Sequence, residues 1–246
     1  MKFVDTYFYA PPSNIEDETI TFPSQELQHI SRVLRLKKGD VVIVVDGEGH
    51  TYEAEIVVSR KGELAGHVIR ELGLKNETKT NFYLGLPLIK PSHLEIAIDM
   101  VVQLGAKGLW IFKPDRVATE WDAQRIANFT ERVKRLMISS MKQSKRAYLP
   151  ELIPTGKLDD ILKFRSRFKG IFYGHPFGIP AFATDFLTLN ESYLLLVGPE
   201  GDFSHRELEF LEDVRALPIS LGPRRLRTET AIVALFLKAL AFAKEV

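Results

Sequence analysis

Residues 194–204 read LLLVGPEGDFS, and residues 217–231 read LPISLGPRRLRTETA. In each stretch an apolar run ends at a glycine–proline pair, Gly198-Pro199 and Gly222-Pro223, and a helical pattern follows. Short apolar runs that end in glycine and give way to helices are typical of buried parallel strands. The carboxyl ends of such strands open onto one crevice, where open α/β sheets bind their ligands. The two loops are therefore predicted to border a single cofactor pocket.

The second half of the chain alternates between strand and helix patterns. The predicted strands before the two motifs cover residues 82–89, 108–112, 152–153 and 170–173. The predicted helices cover residues 92–104, 122–142, 158–164 and, after the motifs, 228–244. Ser92 is expected to cap the first helix and Gly105 to end it, whereas His175, after a strand, is interpreted as structural. The alternation predicts a parallel sheet with helices on both faces.

Residues 3–70 read as mostly β-strand. The glycine-containing turn at 46–49, between two segments of alternating hydrophobicity, predicts a hairpin. One helix interrupts the strands, and Ser24 is expected to cap it. Its apolar stripe is predicted to consist of Leu27, Ile30, Val33 and Leu34. The polar residues 71–81 (ELGLKNETKTN) are the best candidate for a linker to the second half.

The composition excludes several classes of protein. The 246 residues are 45% hydrophobic and 26% charged, as in ordinary soluble proteins. The lack of cysteine excludes disulfides and thiolate metal sites, and the six histidines are scattered without a metal-binding motif. The first residues do not read as a signal peptide, and no apolar run reaches the roughly 20 residues that span a bilayer. We expect a cytoplasmic protein without a bound metal.

The two motifs together resemble those of the ribosomal RNA uridine-N3 methyltransferases of the SPOUT superfamily, the trefoil-knotted methyltransferases. The resemblance covers nearly the whole chain. Residues 84–117 are similar to the family's first strand–helix–strand unit, and residues 29–40 (HISRVLRLKKGD) to the start of its N-terminal domain. The sequence departs from the family at Asp202, where a second glycine is frequent, and at Lys142 and Lys145, where an acid and a glycine are more frequent.

This resemblance implies an α/β fold with two domains. Residues 73–246 would form a SPOUT-type parallel sheet with a C-terminal trefoil knot, and residues 1–72 a small PUA-like β-barrel that binds RNA. The implied reaction is methyl transfer from S-adenosyl-L-methionine to N3 of a specific uridine in small-subunit (16S) ribosomal RNA. The residues expected to bind the cofactor are Val197, Gly198, Pro199, Glu200, Gly201, Leu221, Gly222, Leu226, Arg227, Thr228, Thr230 and Ala231.

Two basic segments are candidates for an RNA-binding surface. From Arg132 to Leu149 there are six basic residues and no acidic residue, a distribution that phosphate binding favours. A solvated helix face explains this stretch equally well. In the N-terminal domain we expect RNA to be bound by Arg32, Arg35, Lys37 and Lys38. The alternative is that these are ordinary solubilising charges on a surface helix.

Arginines in the second motif suit the implied chemistry. N3 of uridine must lose a proton, and a fixed cation stabilises the negative charge that develops on the pyrimidine. Arg227, directly before a predicted helix, is the expected catalytic cation, while Arg224 and Arg225 are assigned to RNA binding. The alternative for Arg227 is a salt bridge to Glu229 or Glu200. Glu200 is the second catalytic candidate: it could hold Arg227, accept hydrogen bonds from the opposite loop, or take the N3 proton.

Two helices are apolar on most sides, those at 92–104 and 228–244. One sheet face covers only part of such a helix, so a homodimer is expected. A second functional hypothesis is a non-catalytic RNA-binding or ribosome-assembly protein that keeps the fold. The intact pocket motifs, including Arg227 and Glu229, favour the enzyme.

Overall fold

The computed structural model describes residues 2–58, 63–116, 121–180 and 187–245. The chain divides into two compact units. One combines Met1–Glu77 with Ile138–Leu149, and the other combines Thr78–Met137 with Pro150–Val246. The first unit therefore includes a segment from much later in the chain, which no sequence pattern indicated.

The first unit is built on a six-stranded sheet. Its strands are β1 (Phe3–Tyr9), β2 (Ile15–Glu16), β3 (Thr19–Ile20), β4 (Val41–Val45), β5 (Thr51–Val58) and β6 (Leu64–Leu72). They lie in the order β1-β4-β5-β6-β3-β2, with β1 and β4 parallel and the other neighbours antiparallel. The predicted hairpin is confirmed, since Val45 of β4 pairs with Thr51 of β5. Its turn contains Gly47 and Gly49 at φ of 83° and 110°, which favour glycine.

The helix of this unit differs from the prediction in its first residue and in the residues that form its apolar stripe. Helix α1 covers Ser24–Gln28 and continues as a π-helical turn over His29–Val33. The predicted Ser24 cap is wrong, because Ser24 is itself the first helical residue and no side chain caps the helix. A π turn holds more residues than an α turn, so Val33 leaves the apolar stripe and is 67% exposed, whereas Ile30 is fully buried.

The second unit contains a wholly parallel six-stranded sheet. Its strands are β7 (Asn81–Pro87), β8 (Gly108–Lys113), β9 (Glu151–Lys157), β10 (Gly170–Ile179), β11 (Ser192–Leu196) and β12 (Leu217–Ile219). Their order is β12-β10-β11-β7-β8-β9, and all neighbours run parallel. The remaining α-helices are α2 (Pro91–Gln103), α3 (Ala123–Gln143), α4 (His205–Asp213) and α5 (Thr228–Ala243), and the helix predicted at 158–164 is a 3-10 helix over Leu158–Lys163 followed by another over Arg165–Arg167. The parallel α/β architecture is confirmed, and the trefoil knot stays a prediction.

Helices cover both faces of this sheet, because successive side chains of a strand point to opposite faces. On one face Tyr193 of β11 packs against Phe82, whose ring meets that of Phe236 in α5 at 5.8 Å. On the other face Leu194 and Leu196 share a core with Leu211 of α4. Within the described ranges, no helix has the length and apolar content needed to cross a membrane.

The ends of α2 test two further predictions. Gly105 has a φ of 104° just after the helix, so its predicted role as the C-terminal stop is confirmed. The predicted Ser92 cap is wrong: Lys90 occupies the cap position, and no side chain caps the helix. Pro91 takes the first helical position, which its fixed φ and missing N–H suit, and this pushes Ser92 into the helix.

Candidate functional site

The carboxyl ends of three adjacent strands, β12, β10 and β11, surround a cavity of about 550 Å³. Its wall consists of residues 174–177 in β10, residues 197–202 after β11 and residues 221–226 after β12, completed by Thr228 and Ala231 of α5. The structure thus brings the two glycine–proline motifs together around one cavity. Its volume lies within the roughly 300–1,000 Å³ typical of small-molecule sites.

Ten of the twelve residues predicted to bind the cofactor line this cavity. The remaining two, Arg227 and Thr230, are exposed and lie outside the lining. The ten are Val197, Gly198, Pro199, Glu200, Gly201, Leu221, Gly222, Leu226, Thr228 and Ala231.

Hydrogen bonds join the two motifs across the cavity wall. The hydroxyl of Thr228 donates to the carbonyl of Gly198 at 3.3 Å, and Nη2 of Arg225 donates to the carbonyl of Glu200 at 3.3 Å. Gly198 lies so close to the chain beyond it that an added Cβ would be 3.1 Å from the backbone nitrogen of Phe203. The first motif is therefore a tight turn in which a side chain at Gly198 would force the backbone at Phe203 to move.

Both positions at which the resemblance leads us to expect a glycine have left-handed backbone. Asp202 has a φ of 62° and Lys145 a φ of 57°. Aspartate adopts this region more readily than most residues, because its short polar side chain bonds locally. Here Oδ1 of Asp202 accepts from the backbone nitrogen of Phe203 at 2.8 Å. The first motif at Asp202 thus has a conformation that favours glycine but is adopted here by an aspartate.

A buried carboxylate fixes the end of the first motif. Glu207 in α4 has no exposed surface, and its Oε2 accepts from the backbone nitrogen of Ser204 at 2.7 Å. The hydroxyl of Ser204 in turn accepts from the backbone nitrogen of Glu207 at 3.1 Å, which completes a capping box. Oε1 of Glu207 accepts from the backbone nitrogen of Asp115 at 2.9 Å. In this way the loop after β8 supports the cavity, and Nη1 of Arg116 donates to the carbonyl of Gly201 at 3.0 Å.

Arg206, also in α4, extends this support through two carboxylates. Its Nε and Nη2 donate to Asp115 at 2.9 and 2.7 Å, and its Nη1 donates to Asp159 at 2.8 Å. The hydrogen bond from Arg206 holds the pKa of Asp115 below its usual range, with a smaller contribution from Ser204. The hydrogen bonds to Asp115 and Asp159 raise the pKa of Arg206, so its guanidinium stays charged at neutral pH.

The cavity includes a further wall, in which the sequence analysis placed only His175, at a strand end facing the crevice and with a structural role. The strand predicted to end at Tyr173 instead continues to Ile179, so that prediction is wrong. His175 and Phe177, together with their neighbours at 174 and 176, line the cavity. The ring of His175 lies 5.9 Å from that of Tyr173 and 5.8 Å from that of Phe177. The position of His175 after an apolar run was the available signal, but the pairing of β10 beside β11 decides its place.

The arginines of the second motif are exposed. Arg224 and Arg225 line the cavity, and Arg227 lies just before α5. In the described part of the chain no ion pair joins Arg227 to Glu229 or Glu200, the alternative considered for it. Glu229 faces His93 instead, with Oε1 3.8 Å from Nδ1. The cation predicted to act in catalysis is therefore not engaged with either predicted carboxylate.

The basic stretch from Arg132 to Leu149 is mostly neutralised within the protein. Its interpretation as a phosphate-binding footprint therefore needs correction, because carboxylates close in space already pair with five of its six cations. The pairs are Arg132–Glu95, Lys134–Glu131, Lys142–Glu26, Lys145–Asp5 and Arg146–Glu77.

The four basic residues predicted to bind RNA in the first unit differ from this stretch. All four are exposed, and no ion pair involves their side chains within the ranges that the structure describes. They are Arg32, Arg35, Lys37 and Lys38, and they stay predictions. Among the described residues, no group of three histidine or carboxylate side chains is arranged to hold a metal ion.

The fold and the site define a class of protein. Residues 76–239 match the family of the RNA methyltransferase domain, and residues 22–68 match the RNA methyltransferase PUA domain. Because the first match spans more than half of the chain, the chain belongs to the RNA methyltransferase family.

Two named proteins and one solved structure are similar to this chain over most of its length. A ribosomal RNA small subunit methyltransferase E from Rickettsia conorii is 30% identical over 209 residues, covering 84% of this chain and 83% of that protein. The protein of the same name from Bacillus subtilis is 26% identical over 223 residues, covering 88% and 87%. The fold is similar to that in the crystal structure of a ribosomal RNA small subunit methyltransferase E from Neisseria gonorrhoeae bound to S-adenosyl methionine. The TM-score is 0.85 and the sequence identity 23%, and the match covers 97% of this chain and 98% of that protein.

Proposed function

We propose that the protein transfers a methyl group from S-adenosyl-L-methionine to N3 of a uridine in small-subunit (16S) ribosomal RNA. The observation that carries this proposal is the single cavity in which the two glycine–proline motifs meet, with exposed arginines at its edge. The name shared by the relatives supports small-subunit ribosomal RNA as the substrate. The cofactor of the Neisseria gonorrhoeae protein supports S-adenosylmethionine, and the resemblance of the motifs supports N3 of uridine.

The cavity suits this cofactor. Its lining combines apolar side chains (Val197, Leu221, Ala231) with loop backbone, as an adenosine requires. Gly198, in its tight turn, and Gly222, with a φ of 102°, both line the cavity. S-Adenosylmethionine, when bound, would supply an activated methyl group. The residues of this chain would hold the cofactor and the uridine in line, and positioning of this kind accounts for much of such catalysis.

Arg227 and Glu200 are the proposed catalytic residues. Removing the N3 proton leaves negative charge on the pyrimidine, and a cation fixed nearby stabilises that charge. Arg227 is exposed and not engaged with Glu200 or Glu229, so its guanidinium is available to a substrate. Glu200 lines the cavity and is the candidate to accept the N3 proton.

RNA would be held outside the cavity as well. We assign the RNA-binding PUA-like domain, predicted as residues 1–72, to the first compact unit, and the methyltransferase domain that ends in a trefoil knot, predicted as residues 73–246, to the second. Arg32, Arg35, Lys37 and Lys38 are exposed and outside the ion pairs of the first unit, which suits contacts to phosphates. The small ribosomal subunit is the proposed partner and the cytoplasm the proposed location.

The active unit is proposed to be a homodimer. Helices α2 and α5 pack against each other, and most of their apolar side chains are buried. Ile96 and Met100 of α2 and Leu237 of α5 nevertheless remain 48%, 45% and 36% exposed. A second copy of the chain would cover these side chains across a two-fold axis. Met100→Glu should then shift sedimentation toward a monomer, and a wild type that sediments as a monomer at working concentration would refute the dimer.

The decisive experiment measures methyl transfer from labelled S-adenosylmethionine to small ribosomal subunits that lack the modification, followed by mapping of the methylated base. We expect label at N3 of one uridine. A protein that binds small subunits but transfers no label would instead support the second hypothesis, a non-catalytic ribosome-assembly protein. Label on another atom or another RNA would refute the proposed substrate.

A further inference from the structure

Phe177 is an aromatic side chain at the edge of the cavity that does not contribute to the core. It is 92% exposed, the highest fraction among the large apolar side chains of the described residues, and it lines the cavity. Its ring meets that of His175 edge to face, with the centroids 5.8 Å apart. Packing within the fold therefore gives no reason for a phenylalanine at this position, since so exposed a ring gains little from burial.

The backbone holds Phe177 in this place. Gly174 and Ile179 of β10 both pair with Ile219 of β12, so the residues between them form an irregular excursion from the strand. The excursion is closed at its far end, where the backbone nitrogen of Ser220 donates to the carbonyl of Ile179 at 2.8 Å. Gly178 packs so closely that an added Cβ would lie 2.6 Å from the backbone of Ile219. Such irregularities re-aim side chains, and here the excursion carries Phe177 on the cavity wall.

Two cationic side chains also line this cavity. Arg224 and Arg225 line it and are exposed, and among the described residues neither pairs with a carboxylate. Proteins bind single-stranded RNA with this combination: unstacked bases lie on exposed aromatic rings, and cations hold the adjacent phosphates. The features that we propose to bind the cofactor differ from these exposed side chains: they are the buried Val197 and the glycine backbone of the two motifs.

We propose that Phe177 is the platform on which a base of the RNA substrate stacks at the mouth of the cavity, with Arg224 and Arg225 on the phosphates beside it. This inference rests on the proposed function, because it names a contact of the same site with the same substrate. Phe177 acts by positioning the RNA, and it takes no part in binding the cofactor.

The test uses the full-length protein, with small ribosomal subunits as the substrate for KM and a single-stranded RNA oligonucleotide that contains the mapped uridine for direct binding. Phe177→Leu removes the aromatic face and keeps an apolar side chain, so KM for small subunits should rise about tenfold. The dissociation constant for S-adenosylmethionine should stay unchanged. Phe177→Tyr should restore the wild-type KM. Leu162→Ala is the matched control, because Leu162 is also an exposed apolar residue of this unit (62%) but lies outside the cavity lining. The KM of the Leu162→Ala variant should equal that of wild type.

A second measurement does not depend on turnover. Phe177→Trp introduces an exposed indole, whereas Trp110 and Trp121 are 0% and 5% exposed. Stacking of a base should quench the new fluorescence on addition of the oligonucleotide, and S-adenosylmethionine alone should not. If wild type transfers no methyl group but quenching occurs, the proposed function fails and the platform stands.

Three results would overturn the platform. The first is an unchanged KM in Phe177→Leu together with no quenching in Phe177→Trp. The second is weaker S-adenosylmethionine binding in Phe177→Leu, which would make the ring a cofactor contact. The third is a loss of dimer on sedimentation of Phe177→Leu, which would make it a contact between subunits.

Discussion

Arg146 and Glu77 form a buried ion pair within the first unit. Nε and Nη2 of Arg146 donate to Oε2 of Glu77 at 3.1 and 2.8 Å, and Arg146 is 1% exposed. Oε1 of Glu77 accepts from the backbone nitrogens of Ala147 and Tyr148 at 2.9 and 3.0 Å. Arg146 is the most buried cation of the basic stretch, and its pair with Glu77 links residues 138–149 to the N-terminal chain. Its buried side chain is therefore not available to RNA.

We expect Glu77→Ala to destabilise the first unit strongly. Removing the carboxylate leaves the Arg146 charge buried and unpaired, which costs about 3–5 kcal/mol in comparable cases. Urea denaturation measures this loss. The exposed pair Lys145–Asp5 is the control, because Asp5→Ala removes a solvent-screened interaction and should cost far less. Equal losses in the two variants would contradict a structural role for the buried pair.

Gly198→Val should abolish binding of S-adenosylmethionine. Its Cβ would lie 3.1 Å from the backbone nitrogen of Phe203, so the turn that opens onto the cavity must shift. Isothermal titration calorimetry measures the affinity. Gly73→Val is the control, since no atom lies within 4 Å of an added Cβ at Gly73. If Gly198→Val binds the cofactor as wild type does, the cavity is not the cofactor site.

Arg227→Ala should separate chemistry from binding. Loss of one charge-stabilising group typically lowers turnover by about 100-fold or more, while affinity for S-adenosylmethionine should fall far less. Arg227→Lys keeps a cation without the planar fork and should retain intermediate activity. Single-turnover methyl transfer and calorimetry measure the two effects. Unchanged turnover in Arg227→Ala would assign Arg227 to structure.

Charge reversal of Arg32 and Arg35 to glutamate should weaken RNA binding and flatten its dependence on salt. Each lost phosphate contact removes about one unit from the slope of log K against log salt concentration. Binding of S-adenosylmethionine should not change.

The matched control for this pair of substitutions reverses Lys134 and Lys163, which alters the net charge equally. Both lysines already pair with a neighbouring carboxylate, Glu131 and Asp160, so the salt slope should stay near that of wild type. Equal slopes for the two double variants would mean that overall charge, and not a local surface, governs RNA binding.

His50 should make the first unit more stable at lower pH. Its Nδ1 lies 2.6 Å from Oδ2 of Asp46, and this hydrogen bond raises the pKa of His50 above 6.5. The stabilisation is fully present below the unfolded-state pKa and is lost as the pH rises through the higher folded-state pKa.

The difference in unfolding free energy between wild type and His50→Ala should therefore be larger at about pH 5.5 than at about pH 8.5. Denaturation at both values measures it. The same comparison in an Asp46→Asn background should lose its pH dependence, because the carboxylate that causes the shift is gone. A difference that does not vary with pH in the wild-type background would contradict this role of the pair.

Local signals in the sequence predicted most elements of the fold. The turn at 46–49 predicted the β4–β5 hairpin, and Gly105 predicted the end of α2, because turn and cap conformations depend on a few adjacent residues. The predicted caps failed where a proline changed the start of a helix: Pro23 and Pro91 place Ser24 and Ser92 within the first turn. A motif read without its neighbours misplaces a helix by one or two residues.

The motifs of the cavity and the class of protein could be predicted from the amino-acid sequence, because glycine turns and apolar strands are local and the family resemblance lies in those same residues. The residues that meet these motifs in space depend on how the strands pair. The wall at His175 and Phe177 depends on β10 lying between β11 and β12, a pairing that no local pattern specifies. The ion-pair partners of the basic stretch could not be predicted from sequence either, since Lys145 pairs with Asp5, which lies 140 positions away. Charge along a chain shows where cations are, but the fold decides which of them remain for RNA, because pairing depends on distance in space.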